Sequence, residues 1–401
     1  MVEDHTGTPH LLVTSHALVR QVLADPETFR PDNALDAITP IPVAALRILA
    51  GHGFRLPPTL ANNGSPSHPG IRAIVADALH PHRVEAQRPW LTGMVRRRVA
   101  GLAARLRAGE PVDLYAGLAA DLPSRVLARL VELPDSDVTV VKEFSRAALE
   151  LFWAPLSEER QRRLADIVGR YHRVLRQCAA TAGGMVGRLR EYTAAHRLPA
   201  DTPVGALFFM LVAGQETTSQ FLTLLLHRLI REPEITAGLV TGGIRVEDVV
   251  EEGLRLEPPI VTWRRVTARE TSLAGVTVPA GTSVVLWLAQ AGRDPQLTGH
   301  PHDLTPGQRG SRRHLAFGAG AHRCVGAQLA RMEAAVVVAE IAPLLTGLRV
   351  VRAPYYPDNL SFRMPDALVV VRERPRSPGT VVSRLPRPKS ASRPAPRTAA
   401  A

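Results

Sequence analysis

From Thr202 to just before Pro233 runs a stretch of roughly 30 residues with helical patterning throughout, and nothing else in the chain restricts the fold as much. It opens on Thr202-Pro203, a capping residue followed by the proline favoured at the first helical position. At about 1.5 Å per residue it makes a rod of around 45 Å, long enough to cross a whole domain. The remaining elements must therefore be arranged around it. Its apolar run, residues 204–213, is too short to span a bilayer and leads straight into Gly214, Gln215 and Glu216, so a membrane segment is not expected.

Apolar positions recurring every three to four residues mark further helices at 16–23, 90–106, 113–133, 138–152, 158–193 and 327–345. Strand-like stretches are fewer and shorter, at 11–14, 276–278, 283–288 and 367–371. The expected fold class is thus mainly α with small β-sheets near the two ends. No repeat or linker divides residues 1–373, which are expected to form a single domain. With 45% apolar and 21% charged residues in 401, the composition is that of a soluble globular protein and excludes collagen-like and wholly disordered classes. Residues 374–401 differ: Pro, Arg, Ser and Ala dominate and acids are absent, so a disordered basic tail is expected there.

The net charge of +12 would suit nucleic acid or an anionic surface, but seven of the basic residues lie in that tail, leaving +5 for residues 1–373. Lys142 and Lys389 are the only lysines; a coding bias toward arginine explains the rest as readily as phosphate recognition. Cys178 and Cys324 are too far apart to form a disulfide framework, and residues 1–10 lack the apolar core of a signal peptide. A cytoplasmic location is expected.

The densest chemical signal is Phe317-Gly318-Ala319-Gly320-Ala321-His322-Arg323-Cys324-Val325-Gly326. Its glycines let the backbone turn tightly and let a flat ligand approach closely. Cys324 stands just before the helix expected from Ala327, where the helix dipole favours a thiolate, a strong and soft metal ligand. A lone cysteine in a glycine-rich loop is usually inert; ten residues in this pattern make that account weak.

This stretch resembles the haem-binding loop of the cytochrome P450 family, Phe-Gly-x-Gly-x-His/Arg-x-Cys-x-Gly. The resemblance implies the cytochrome P450 fold, with haem b (iron protoporphyrin IX) between the long helix and the loop, and Cys324 as the axial thiolate on iron. It places Phe317, Gly318 and Gly326 against the cofactor. Midway along the long helix, Ala213-Gly214-Gln215-Glu216-Thr217-Thr218 sets a glycine, an acid and two β-branched alcohols where a helix interior disfavours them. It is similar to the family's oxygen-activating segment, which implies that Ala213 and Gly214 border the haem and that Glu216 and Thr217 relay protons. A back-bond from Thr217 one turn earlier would open a local kink for water or O2.

Glu252-Gly253-Leu254-Arg255 resembles the family's Glu-x-x-Arg pair, which implies a buried network bracing the haem loop with a later arginine, Arg309 or Arg312. Gly253 stands where larger apolar residues are usual. His68 and Arg72 match the family's His-x-x-x-Arg on an early helix, followed by Leu79-His80-Pro81 in place of Phe-x-Pro. With Arg265 and His322 they are implied partners of the haem carboxylates. The resemblance covers about residues 10–372 in the expected order. It also implies a substrate pocket lined by residues 56–63, by Phe209, Val212 and Ala213, by Ile260, Val261 and Trp263, and by Leu360, Ser361 and Phe362, mostly apolar and suited to a small hydrophobic molecule.

The implied activity is that of a haem-thiolate monooxygenase using O2 in bacterial secondary-metabolite biosynthesis. Electrons from NAD(P)H would come through external partners, an acidic ferredoxin and its ferredoxin reductase, since the chain carries no Gly-x-Gly-x-x-Gly dinucleotide fingerprint. Arg309, Arg312, Arg313, Arg323 and Arg331, with no acid between them in sequence, would form the ferredoxin-docking face. Two alternatives stand beside this. The same chemistry could be diverted to oxidative coupling, cyclisation or nitration; a non-catalytic haem sensor or a nucleic-acid binder acting through the tail is the more remote.

Overall fold

The computed structural model describes residues 1–132 and 138–373; the basic tail lies outside the described residues. The long helix is present as Thr202–Ile230, and nearly all of it is buried. A helix apolar on every side can only be stable inside others. Here Leu122–Leu130, Val138–Trp153, Glu158–Thr181, Gly184–Ala195 and Ala327–Leu345 pack around it. Its start differs from the sequence expectation in detail. Asp201 occupies the cap position, and the Thr202 hydroxyl donates back to the Pro199 carbonyl at 2.7 Å.

Two of the longer expected helices are interrupted. Residues 113–133 divide into a π-turn at Tyr115–Ala119 and the helix Leu122–Leu130, with Pro123 near the start of the second piece. Residues 158–193 break between Glu158–Thr181 and Gly184–Ala195, where Gly184 takes a φ of 56° that most side chains disfavour. Pro343 is accommodated inside Ala327–Leu345.

The five-stranded sheet runs in the order Val2–Glu3, Pro9–Val13, Ser283–Leu286, Trp263–Thr267 and Phe29–Arg30. Pro9–Val13 lies parallel to Ser283–Leu286; the other pairings are antiparallel. The strand Trp263–Thr267, not foreseen as a strand, is the one that matters most for the site. With side chains alternating across the sheet, Trp263 and Arg265 share the face that borders the cavity described below, while Arg264 points away and donates to the Asp36 carbonyl. A second sheet joins Val112–Asp113, Val369–Arg372 and Leu348–Arg352. No helix among the described residues is long and apolar enough to cross a membrane.

Candidate active site

A cavity of about 200 Å³ lies between the long helix and the cysteine loop. Phe209, Met210, Ala213, Gly214 and Thr217 form one wall; Phe317, Gly318 and residues 322–326 form the other. Gly318 and Gly320 have φ of 64° and 68°, so the loop needs glycine at both positions. A side chain at Gly320 would also strike the Leu23 carbonyl, whereas Gly318 faces open space. Gly326, expected as a turning glycine, has an ordinary φ of −86° and leads directly into the helix Ala327–Leu345. The Cys324 amide donates to the Phe317 carbonyl at 2.8 Å and closes the loop. Cys324 borders the cavity and is exposed to it. Burial pushes the thiol up from its usual value, against the pull of the Gly326 amide, Arg72, Arg323 and Arg331.

Arg72, Arg265 and His322 also border the cavity, and His68 stacks on His322 with ring centroids 4.1 Å apart. No carboxylate among the described residues pairs with any of them. Arg72 donates to the Arg323 carbonyl at 2.6 Å, Arg265 to the Arg264 carbonyl at 2.8 Å, and His322 Nδ1 to the Leu60 carbonyl at 3.0 Å. His68 Nε2 is buried with no hydrogen-bond partner among the described residues. Burial lowers all four from their usual values, Arg265 to about 10 and His322 to about 4; Arg72 adds to the effect on His68, and His68 to that on His322. An anion among them would reverse this.

Glu216 and Thr217 part company. Thr217 borders the cavity and its hydroxyl donates to the Ala213 carbonyl at 2.5 Å, the back-bond expected from sequence. Glu216 is fully buried on the other side of the helix. Its Oε1 accepts from Ser145 Oγ at 2.7 Å and pairs with Lys142 Nζ at 2.8 Å; Gln220 reaches Oε2 at 3.4 Å. Lys142 also donates to Ser219 Oγ at 2.9 Å, and its ammonium lies 5.3 Å from the Tyr115 ring centre. Gly214 is explained by packing, since a Cβ there would sit 2.9 Å from Leu127 Cδ2. Gln215 fastens the helix from outside, accepting from the Ser124 amide and donating to the Ala120 carbonyl. Neither Lys142 nor Gln215 could be singled out by local spacing, because their partners lie some 70 and 90 residues away.

Beneath the loop, Glu252 and Arg255 form the expected buried pair at 2.7 Å, and Arg255 also donates to the carbonyls of Gly292, His300, Pro301 and Asp303. The expected supporting arginine is replaced. Gln308 and Ser311 donate to Glu252 instead, Arg312 pairs with Asp248, and Arg309 has no acidic partner among the described residues. Gly253 is where Leu225 packs, at 2.7 Å from a hypothetical Cβ. A further pair was missed in the sequence: Glu251 holds Arg331, whose guanidinium lies 4.6 Å from the Phe317 ring centre, and also His314.

Of the expected substrate-contacting residues, Phe209, Ile260 and Trp263 border the cavity, as do Leu60 and Ala61. Val212 and Val261 do not, nor do Leu360, Ser361 and Phe362. Val212 is packed in the core, and the last three back the wall: the Val261 amide donates to the Ser361 carbonyl, Thr262 to that of Leu360, and Phe362 packs edge-on against Trp263.

Comparison with known proteins agrees with this architecture. The cytochrome P450 family model matches residues 246–342. Cytochrome P450-SOY of Streptomyces griseus is 30% identical over 349 residues, covering 86% of this chain and 81% of that protein. The erythromycin C-12 hydroxylase of Saccharopolyspora erythraea is 29% identical over 349 residues, covering 84% and 82%. Among solved structures, cytochrome P450 CREJ in complex with (4-ethylphenyl) dihydrogen phosphate superposes with a TM-score of 0.86 at 27% identity, over 93% of this chain and 94% of that one.

Such proteins use haem and O2 with electrons supplied from outside, and the residues here fit a haem. A thiol faces the cavity, Gly318 leaves room for a flat ligand, and four basic or imidazole side chains with no acid among them await a doubly charged anion. Identity to the Streptomyces protein over most of both chains, and a fold shared from end to end with solved members, together establish that the chain belongs to the cytochrome P450 family of haem monooxygenases.

Proposed function

We propose that residues 1–373 form the catalytic domain of a monooxygenase that oxidises a small hydrophobic molecule in bacterial secondary metabolism, whose haem iron the Cys324 thiolate would hold. The observation that carries this is the Cys324 thiol facing Ala213 and Thr217 across a cavity rimmed by unneutralised basic groups. When bound, haem supplies reductive activation of O2 at a thiolate-ligated iron. His68, Arg72, Arg265 and His322 would hold its two carboxylates. Thr217 donates or accepts a proton at the cavity wall, while Glu216, tied to the partly exposed Lys142, braces the same helix from its other side. Phe209, Ile260 and Trp263 favour an apolar substrate and exclude water.

Electron supply from an acidic ferredoxin, through its reductase, is supported by a smaller set of arginines than the sequence suggests. Arg312 and Arg331 are engaged by Asp248 and Glu251, leaving Arg309, Arg313 and Arg323 without acidic partners among the described residues. The test is the absorption spectrum of the reduced, carbon monoxide-bound protein. A thiolate-type band is expected in the wild type and its loss in Cys324→Ser; folded, haem-loaded protein without that band would sink the assignment. A product heavier by one oxygen atom is expected. Loss of two hydrogens or gain of a nitro group would move the function to coupling or nitration.

A further inference from the structure

A second group of arginines without acidic partners among the described residues lies away from the ferredoxin-docking arginines. The helix Val43–Gly51 packs on the helix Glu158–Thr181, and together with the segment between Gly51 and Leu60 they form one outer face. Over residues 43–58 and 158–177 there are eight arginines and three acids, a net +5, as much as residues 1–373 carry in all. Two of the three acids are already engaged, Glu159 by Arg163 and Asp166 by Arg170 and His52. Arg47, Arg55, Arg162, Arg173 and Arg176 are exposed and have no acidic partner among the described residues. Between them stand exposed apolar side chains: Val43 (62%), Leu46 (49%) and Val174 (40%). On Val43–Gly51 the exposed positions 43, 46, 47 and 50 fall on one stripe, a second amphipathic face that nothing among the described residues covers.

The segment that borders this face runs on to the cavity wall. Phe54 packs on His172 at 4.8 Å between ring centres, and His172 donates to the Arg55 carbonyl at 2.9 Å, which pins the segment to the helix Glu158–Thr181. A few residues further on, Leu60 and Ala61 line the cavity. It also lies across the long helix from Cys324. Phe208 leaves that helix toward Phe144 and Phe54, whereas Phe209, Ala213 and Thr217 face the cavity and the cysteine loop. A protein seated here is badly placed to pass electrons and well placed to deliver substrate.

We propose that Val43–Gly51 and Glu158–Thr181 form the docking surface for a small acidic carrier protein that presents the substrate on a flexible arm to the cavity beside Leu60. Charge complementarity selects an acidic partner and steers its approach. The small apolar stripe suits a helix of that partner. An anionic membrane fits less well, because the stripe holds no aromatic anchor and Glu158 and Glu159 sit among the arginines. The proposal depends on the monooxygenase reading only for what happens to the delivered substrate.

The experiment titrates the haem-loaded, full-length protein with an octanoyl-loaded acyl carrier protein, with the triple variant R162E/R173E/R176E and with R47E. The altered side chains are exposed, so both variants should show the wild-type carbon monoxide band, which separates failure here from failure of the haem assignment. Wild-type binding should weaken as salt rises, and the triple variant should bind about tenfold or more weakly. Reduction by ferredoxin should be unchanged in both variants. The proposal is overturned if the wild type does not bind the carrier protein, if charge reversal leaves binding intact, or if phosphatidylglycerol vesicles bind the wild type while the carrier protein does not.

Discussion

A guanidinium buried without an anion, as Arg265 is at 2% exposure, destabilises the protein that holds it until the anion arrives. Arg265→Met should therefore act with opposite signs in the two forms of the protein. The haem-free form should gain on the order of 2 kcal/mol, while haem retention falls; thermal melts of both forms and the rate of haem loss to a scavenger would show it. A parallel fall in both melts would mean that Arg265 serves packing instead. Lys142 presents the reverse case, a cation whose removal strands a buried anion. Lys142→Met leaves Glu216 with only Ser145 and the distant Gln220, and should cost about 3 kcal/mol in stability, much of it recovered in K142M/E216Q. If the double variant melts no higher than the single one, the pair is not what holds that helix contact. The difference between these residues also marks what sequence can reveal. Cys324, Thr217 and Glu252 sit in contiguous patterns set by local chemistry; Lys142, Gln308 and Ser311 acquire their roles only from where the fold brings them.

Elements tell a similar story at larger grain. The spacing of apolar residues located the long helix and the helix Ala327–Leu345 closely, since each is largely buried. It ran two helices together at 113–133 and 158–193, because periodicity continues across a turn when both flanking segments face the same core. It missed Trp263–Thr267, whose paired arginines hide the alternation; one of them faces the cavity. The elements under the cysteine loop are held by two adjacent acids of the helix Val246–Leu256. Glu252 gathers Arg255, Gln308 and Ser311, so Arg255→Lys, which loses the fork reaching four carbonyls, should prevent recovery of haem-loaded protein. Ser311→Ala removes one hydrogen bond and should cost only about 1–2 kcal/mol by chemical denaturation. Glu251 is buried, which alone would raise it, but hydrogen bonds from His314 and Arg331 hold it down at about 2. A carboxylate depressed in the fold stabilises fully above its unfolded value and loses that stabilisation as pH falls toward its folded one. Stability should therefore decline from about pH 4.5 downward by an amount on the order of 3 kcal/mol. The acid limb of the stability curve should flatten in Glu251→Gln; an unaltered limb would assign the acid sensitivity elsewhere.

At the scale of the molecule, charge is unevenly distributed along the chain. The strand Val369–Arg372 is paired on both sides, and the Glu373 amide still donates to the Gly347 carbonyl at 2.8 Å, so the packed chain extends to residue 373. The next residues carry seven basic groups and no acid, and removing them takes the net charge from +12 to +5. A chain ending at Glu373 should then melt with the full-length protein and show the same carbon monoxide band, while eluting earlier from a cation exchanger. It also separates two sources of electrostatic attraction that the total charge conflates. Exposed charges act over about 10 Å at 0.1 M salt, so a ferredoxin steered by Arg309, Arg313 and Arg323 should give a reduction rate that falls with salt to the same degree in both lengths of chain. If the salt dependence disappears with residues 374–401, the attraction belongs to the tail and the three arginines are merely solvated. If it persists while retention on DNA is lost, the tail has a separate anionic ligand and the body alone is the electron acceptor.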